Sequence, residues 1–267
     1  MLKYRILTAI ILLPLLIAAI LKLPFDYFMG LIAIVTALGA WEWSALVGFE
    51  QLLLRGLFVV MILLGCWLCL HVSLLPIMVV GMLYWIWISF AVMRFNSGKL
   101  PLGIELPSIR IFSGIVFLIT GFLAIITIRG MLVQGPSWLL LMMIIIMAAD
   151  TGAYFSGRYW GKKPMAERVS PKKTWAGFWG GLVVALLVSI IGTWFFNLNW
   201  SQRLAFWCLS IVAAFFSMVG DLSISVMKRQ TGIKDSGSLL PGHGGFLDRM
   251  DSMFPGMVVF TLGFLWL

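Results

Sequence analysis

Charge is what this chain has least of. Only 11% of its 267 residues are Asp, Glu, Lys or Arg, whereas soluble domains carry about 25%. With 62% hydrophobic residues, an ordinary water-soluble globular domain is excluded. Cysteine is nearly absent too. Of the three, Cys66 and Cys69 form a CxxC inside the apolar run VVMILLGCWLCL. No partner pair completes a zinc or redox motif, so they read as small membrane-helix residues. Internal repeats and low-complexity stretches are missing. No small-residue cleavage site follows the opening MLKYRILTAIILLPLLIAAIL, which reads as a first span rather than a signal peptide. The net charge of +9 comes without a compact basic surface or RNA-type motif, which argues against a nucleic-acid partner. In a membrane protein a basic surplus retains loops on the cytoplasmic side and attracts anionic headgroups.

What is abundant is apolar sequence. Runs of about 17–25 apolar residues mark spanning helices. They fall near 5–23, 28–48, 55–74, 76–94, 111–129, 137–154, 175–196, 204–227 and 252–267. The expected fold is an all-α polytopic membrane protein of about nine transmembrane helices, one integral domain over 1–267, with cytoplasmic loops forming the active site. Residues 1–130 are expected to supply spans that are mainly scaffold, and 131–267 the C-terminal spans that carry the catalytic site. With the N-terminus cytoplasmic, sixteen of the nineteen Lys and Arg residues share one side, leaving only Lys22, Arg129 and Arg203 on the other. The loops 155–174 and 228–251 then face the cytoplasm.

Three carboxylates, Glu42, Asp150 and Asp221, fall inside expected spans. A charge at mid-bilayer costs at least ~2.5–3.5 kcal/mol, so each needs a partner, a water cavity or a task. Asp150 and Asp221 lie near cytoplasmic ends, where hydration lowers that cost. Glu42, in AWEWSAL, reads as a hydrogen-bonded structural carboxyl near the interface.

The polar residues concentrate in two stretches. The longer, Asp221 to Asp251, holds four of the ten acids, four of the nineteen bases, five glycines and a proline. Lys228, Arg229, Lys234 and Arg249 suit phosphate oxygens, while Asp221, Asp235, Asp248 and Asp251 suit a hard divalent cation. Asp221, Ser225 and Lys228 fall at i, i+4 and i+7 on one helical stripe. In PGHGG the glycines, Gly244 and Gly245 among them, permit positive φ and bring backbone N–H groups up to a ligand. Asp248 and Asp251 point the same way if the next helix has begun, and one of them could simply cap it. His243 suits positioning or charge stabilisation better than general base catalysis, because a phosphate monoester is already an anionic nucleophile. In the second stretch, 149–181, Asp150, Tyr154 and Gly157/Arg158 share a helical face, and Gly152 and Gly157 allow close approach. Ser170, Lys172, Lys173 and Thr174, in SPKKT, precede a helix beginning at about Trp175, where an N-terminus favours a phosphate or lipid headgroup.

Ser225 to Asp251, reading SVMKR, four residues, then KDSGSLLPGHGGFLDRMD, resembles the signature of the phosphatidate cytidylyltransferase (CDP-diacylglycerol synthase) family. ADTGAY with SPKKTW also resembles it, and MLKYRI is similar to bacterial members. The specific match covers about sixty residues, too long and chemically mixed for chance. The resemblance implies transfer of CMP from CTP to phosphatidic acid with release of pyrophosphate, by a multi-pass protein of the bacterial inner membrane. It implies Mg²⁺ as cofactor, K⁺ as a candidate second ion, and a homodimer. By position Asp221 and Asp248 match the metal-holding aspartates and Asp251 a further essential acid. Two other classes fit the same composition. A different lipid-directed enzyme, such as a polyprenol kinase, would share the site logic. A transporter would show paired broken helices in two similar halves.

Overall fold

The computed structural model describes residues 14–131, 134–232, 237 and 245–265. The first helix, α1, is helical over 14–22. It is followed by α2 (Phe25–Val47), α3 (Leu52–Cys69), α4 (Leu74–Asn96), α5 (Pro107–Met131) and α6 (Gly135–Trp160). A two-stranded hairpin, β1 (Pro164–Ala166) and β2 (Ser170–Thr174), then leads into α7 (Trp175–Thr193), α8 (Trp200–Thr231), a single turn α9 (Leu247–Met250) and α10 (Met253–Phe264).

Among the described residues seven helices, α2 to α8, are long and apolar enough to cross a bilayer, and the chain is a multi-pass membrane protein. The nine expected spans differ from this at both ends. Of the first, residues 5–13 lie outside the described residues. The last becomes α10, twelve residues long and so only about 18 Å, well short of a hydrocarbon core of about 30 Å. Its residues Phe254 to Thr261 are all buried. Hydropathy alone cannot tell a helix sheathed in protein from one sheathed in lipid, and α10 is the former.

α5 and α8 run through the middle of the bundle, whereas α3 lies at its edge with few buried residues. α10 inserts between α8, α5 and α4, joining the C-terminal half to the scaffold. Aromatic rings form that joint. Phe117 on α5 lies 5.1 Å from Trp43, 5.7 Å from Trp85 and 5.3 Å from Phe254 between ring centroids. At the far end Trp138 stacks on Phe196 at 3.7 Å and meets Phe206 and Phe264. α7 carries exposed tryptophans at both ends. Exposed Trp175 and Trp179 sit at its start and exposed Trp194 at its end, the placement amphipathic rings adopt at headgroup level.

The closest packing joins α6 to α7. A Cβ on Gly152 would stand 2.7 Å from Val184, one on Gly177 2.8 Å from the Ala153 carbonyl, and one on Gly181 2.9 Å from the Ala149 carbonyl. Small residues on both helices thus bring backbone against backbone, the usual adhesive between helices in lipid. Close approach at Gly152 is the role expected from the sequence, with a helix as the neighbour.

Candidate active site

The α6–α7 hairpin and the end of α8 carry the two polar stretches to one place. SPKKT forms the strand β2. Thr174 pairs with Pro164, and Ser170 with Ala166, across a bulge. α7 starts at Trp175 as expected, because the Thr174 hydroxyl accepts the Gly177 N–H at 3.1 Å and caps the helix. Thr174, a candidate substrate ligand by sequence, is therefore occupied as a cap. The strand holds Lys173 toward α8, where Nζ lies 2.5 Å from Asp221 Oδ2. Lys172, next to it, is exposed.

α8 continues without a break past Asp221 to Thr231, so Asp221, Ser225 and Lys228 do share one stripe. Lys228 Nζ reaches Asp248 Oδ1 at 2.7 Å. Ser225 is half-buried on the same helix, and Arg229 in its last turn is exposed. Asp150 is tied to the start of α10, since the Ser252 hydroxyl donates to its Oδ2 at 3.2 Å. The backbone N–H of Ser252 donates to Asp251 Oδ1 at 2.7 Å. α6 extends to Trp160, six residues beyond the expected span, which keeps Arg158 on a helix. There its Nη1 donates to the Tyr154 hydroxyl at 3.0 Å, as one shared face requires.

Asp251 sits deepest. Burial, and next the Asp221 carboxylate, push its carboxyl well above the ordinary carboxylate range; Asp248 and Asp150 add to the rise and Lys173 opposes it. Asp251 can lie so close to α8 because Gly220 leaves room. A Cβ on Gly220 would collide with the Asp251 carbonyl oxygen and with Pro255. Asp248 and Asp251 therefore differ in surroundings despite their spacing, Asp248 turned to Lys228 and Asp251 enclosed. Of the two, Asp251 accepts an N–H at the start of α10, that of Ser252. At the start of α9 the acceptor is Glu42, which takes the N–H groups of Phe246 and Leu247 at 2.9 and 2.7 Å. Glu42 is thus a buried, hydrogen-bonded structural carboxyl, as expected, with partners 204 and 205 residues away.

Gly245 is buried and Arg249 exposed on α9. Lys234, Asp235, His243 and Gly244 lie outside the described residues. Sequence reasoning missed Ser252, Gly220 and the hairpin. A buried serine beside an essential-looking acid carries no periodic signal, and Gly220 could be found only by asking what a side chain there would strike.

Among the described residues no three acidic or thiol/imidazole side chains are arranged to share one metal ion; Asp221 and Asp248 are each closed onto a lysine. The donor chemistry nonetheless fits a hard dication. Carboxylate oxygens are the ligands Mg²⁺ takes, and the crowding of Asp221, Asp248 and Asp150 around the enclosed Asp251 is what a bound cation relieves. The arrangement sets lysines against carboxylates, cations suited to phosphate oxygens beside oxygen ligands suited to a hard dication.

Comparison with known proteins places the chain in a family. The cytidylyltransferase family model matches residues 3–266. Phosphatidate cytidylyltransferase of Pseudomonas aeruginosa is 34% identical over 271 residues, covering 100% of this chain and 97% of that protein. The Haemophilus influenzae protein of the same name is also 34% identical, over 286 residues and 98% of both chains. That of Mycobacterium bovis is 42% identical over 127 residues, 47% of this chain and 40% of its own. A match running nearly end to end, over both polar stretches and the apolar helices that carry them, means that the chain belongs to the cytidylyltransferase family.

Proposed function

We propose that the protein is a phosphatidate cytidylyltransferase, which transfers CMP from CTP to phosphatidic acid and yields CDP-diacylglycerol and pyrophosphate. Family membership supports this, and one observation carries it: the Lys173–Asp221 contact at 2.5 Å, which sets the basic hairpin of one polar stretch against the acidic helix of the other. A lipid phosphate held by the first is then within reach of a nucleotide held by the second.

Lys172, Lys173 and Arg158 draw the phosphatidate headgroup to the membrane surface. One of its phosphate oxygens attacks the α-phosphorus of CTP in line. A new P–O bond forms as the α–β bridging bond breaks, and the electron pair leaves on pyrophosphate. The attacking oxygen is already anionic, so no side chain has to remove a proton, and positioning with charge neutralisation does most of the work. Lys228, Arg229, Lys234 and Arg249 would clamp the triphosphate, His243 would serve for positioning or charge stabilisation, and Ser225, Asp235, Gly244 and Gly245 are further candidate substrate ligands, with Ser170 on the headgroup side. Asp221, Asp248 and Asp251 would hold Mg²⁺, K⁺ being a candidate second ion, and the ion when bound supplies charge compensation for the leaving pyrophosphate. Lys173 and Lys228, which now face Asp221 and Asp248, hold those carboxylates in place until substrate phosphates compete for the lysines. The positive-inside bias supports a cytoplasmic N-terminus and site in a bacterial inner membrane. The homodimer rests on the resemblance alone.

The test incubates purified protein with phosphatidate, labelled CTP and Mg²⁺, and looks for pyrophosphate and a labelled liponucleotide. EDTA should stop the reaction and Mg²⁺ restore it. Product only with polyprenol, or only with another nucleotide, would replace this reading with the lipid-kinase one. Flux into proteoliposomes without chemical conversion would replace it with transport.

A further inference from the structure

Glu42 belongs to α2, on the scaffold side of the molecule, yet it touches the segment that carries Asp248. Its two carboxylate oxygens take separate donors, Oε1 the N–H of Phe246 and Oε2 that of Leu247. The residue is only 3% exposed. Gly237 comes so close that a Cβ there would collide with Oε1 and approach the Glu42 Cγ at 2.9 Å. One carboxylate therefore underlies the chain at 237 and again at 246–247, on either flank of the glycine-rich stretch. Leu247 is followed directly by Asp248, whose Oδ1 meets Lys228 at 2.7 Å. Two charge-assisted hydrogen bonds to consecutive amides fix both the position and the rotation of a short helix about its axis, and with them the direction of its first side chains.

We propose that Glu42 is a positioning residue for the transfer reaction: it anchors the start of α9 and so aims Asp248 at Lys228 on α8. The proposal rests on the reading above for the part Asp248 plays, and not for the anchoring itself. A purely structural buried carboxylate would be reported by global stability. A positioning residue is reported by the local exposure of the amides it holds and by the rate of the chemical step.

Hydrogen–deuterium exchange of the peptide over Phe246–Met250 is compared in the parent, Glu42→Gln and Gly237→Ala, together with kcat, the KM for phosphatidate and thermal unfolding. Gln keeps the size of Glu42 but places an NH₂ against one of the two donors. Ala at 237 pushes on the carboxylate without changing it. In both variants exchange at Phe246 and Leu247 should rise, and kcat should fall, by roughly tenfold or more, the loss expected when one charge-assisted hydrogen bond goes. The KM for phosphatidate and the exchange of α5 and α6 should stay at parental values. Glu42→Asp, which keeps the charge but shortens the reach, should fall between. Unchanged exchange at 246–247 in a folded variant overturns the proposal, as does faster exchange with parental kcat. If Glu42→Gln does not fold, the same two readouts on Gly237→Ala decide. A parent protein that makes no liponucleotide defeats the functional reading instead, while the exchange data still settle whether Glu42 holds α9.

Discussion

Gly220 offers the sharpest test of how the carboxylates are kept together. It lies on α8 immediately before Asp221, and a Cβ there would fall well inside 3.0 Å of the Asp251 carbonyl oxygen and of Pro255 Cγ, separations that real Cβ atoms essentially never show. Neither neighbour can swing aside, one being backbone and the other a proline ring. Gly220→Ala must therefore drive α8 and the start of α10 apart by about 1 Å or more, since packed interiors do not absorb such overlap elsewhere. Overpacking of this kind costs about 1–3 kcal/mol in stability, which a bundle of this size survives. Catalysis is less forgiving, because a misplacement of ~1 Å between reacting groups costs up to ~10²-fold. The expected result is a folded protein whose kcat for CDP-diacylglycerol formation falls ~10–10²-fold with the KM for phosphatidate little changed, as befits an interaction expressed in the transition state. The assay uses CTP and phosphatidate in mixed micelles, with tryptophan fluorescence on heating to confirm folding. Gly56→Ala is the control, since a Cβ there meets nothing within 4 Å. Parental turnover by Gly220→Ala would refute the idea that the α8–α10 contact sets the Asp221–Asp251 geometry.

Other outcomes are open to measurement. Asp248→Asn should abolish CDP-diacylglycerol formation while the protein still inserts and folds; near-parental turnover across a Mg²⁺ titration would count against its role as a ligand. Thr174→Ala removes the α7 cap and should lower stability by ~1 kcal/mol, seen as earlier thermal unfolding that Thr174→Ser largely reverses; a collapse of activity at full stability would instead return Thr174 to the substrate. Trp138→Ala empties the ring cluster at the far end and should cost ~3–5 kcal/mol, with the specific activity of surviving protein unchanged. Lys172→Ala should raise the KM for phosphatidate and leave that for CTP alone, which a steady-state matrix of both substrates resolves.

Much of this was legible in the residues. Apolar run length located the seven long helices, and the spacing of Asp221, Ser225 and Lys228 put them on one stripe because α8 keeps its period past the membrane. The start of α7 at Trp175 was legible as well, although the role of Thr174 as its cap was not. Contacts far apart in sequence were not legible. Lys173 with Asp221, Ser252 with Asp150 and Glu42 with Leu247 arise from how helices pack, and no periodicity encodes a neighbour on another helix. α10 was misjudged for a related reason: its residues are apolar whether lipid or protein surrounds them. The hairpin at 164–174 escaped notice because two short strands with a bulge between them leave no alternation to count.

The seam between α6 and α7 has a mechanical consequence. Where backbone lies on backbone at Gly177 and Gly181, little freedom to slide is left, so the two helices answer a force as one stiff blade. Lys173 and Thr174 ride on its tip. Movement that shifts Lys173 is therefore expected between this pair and the helices packed against it rather than within the pair.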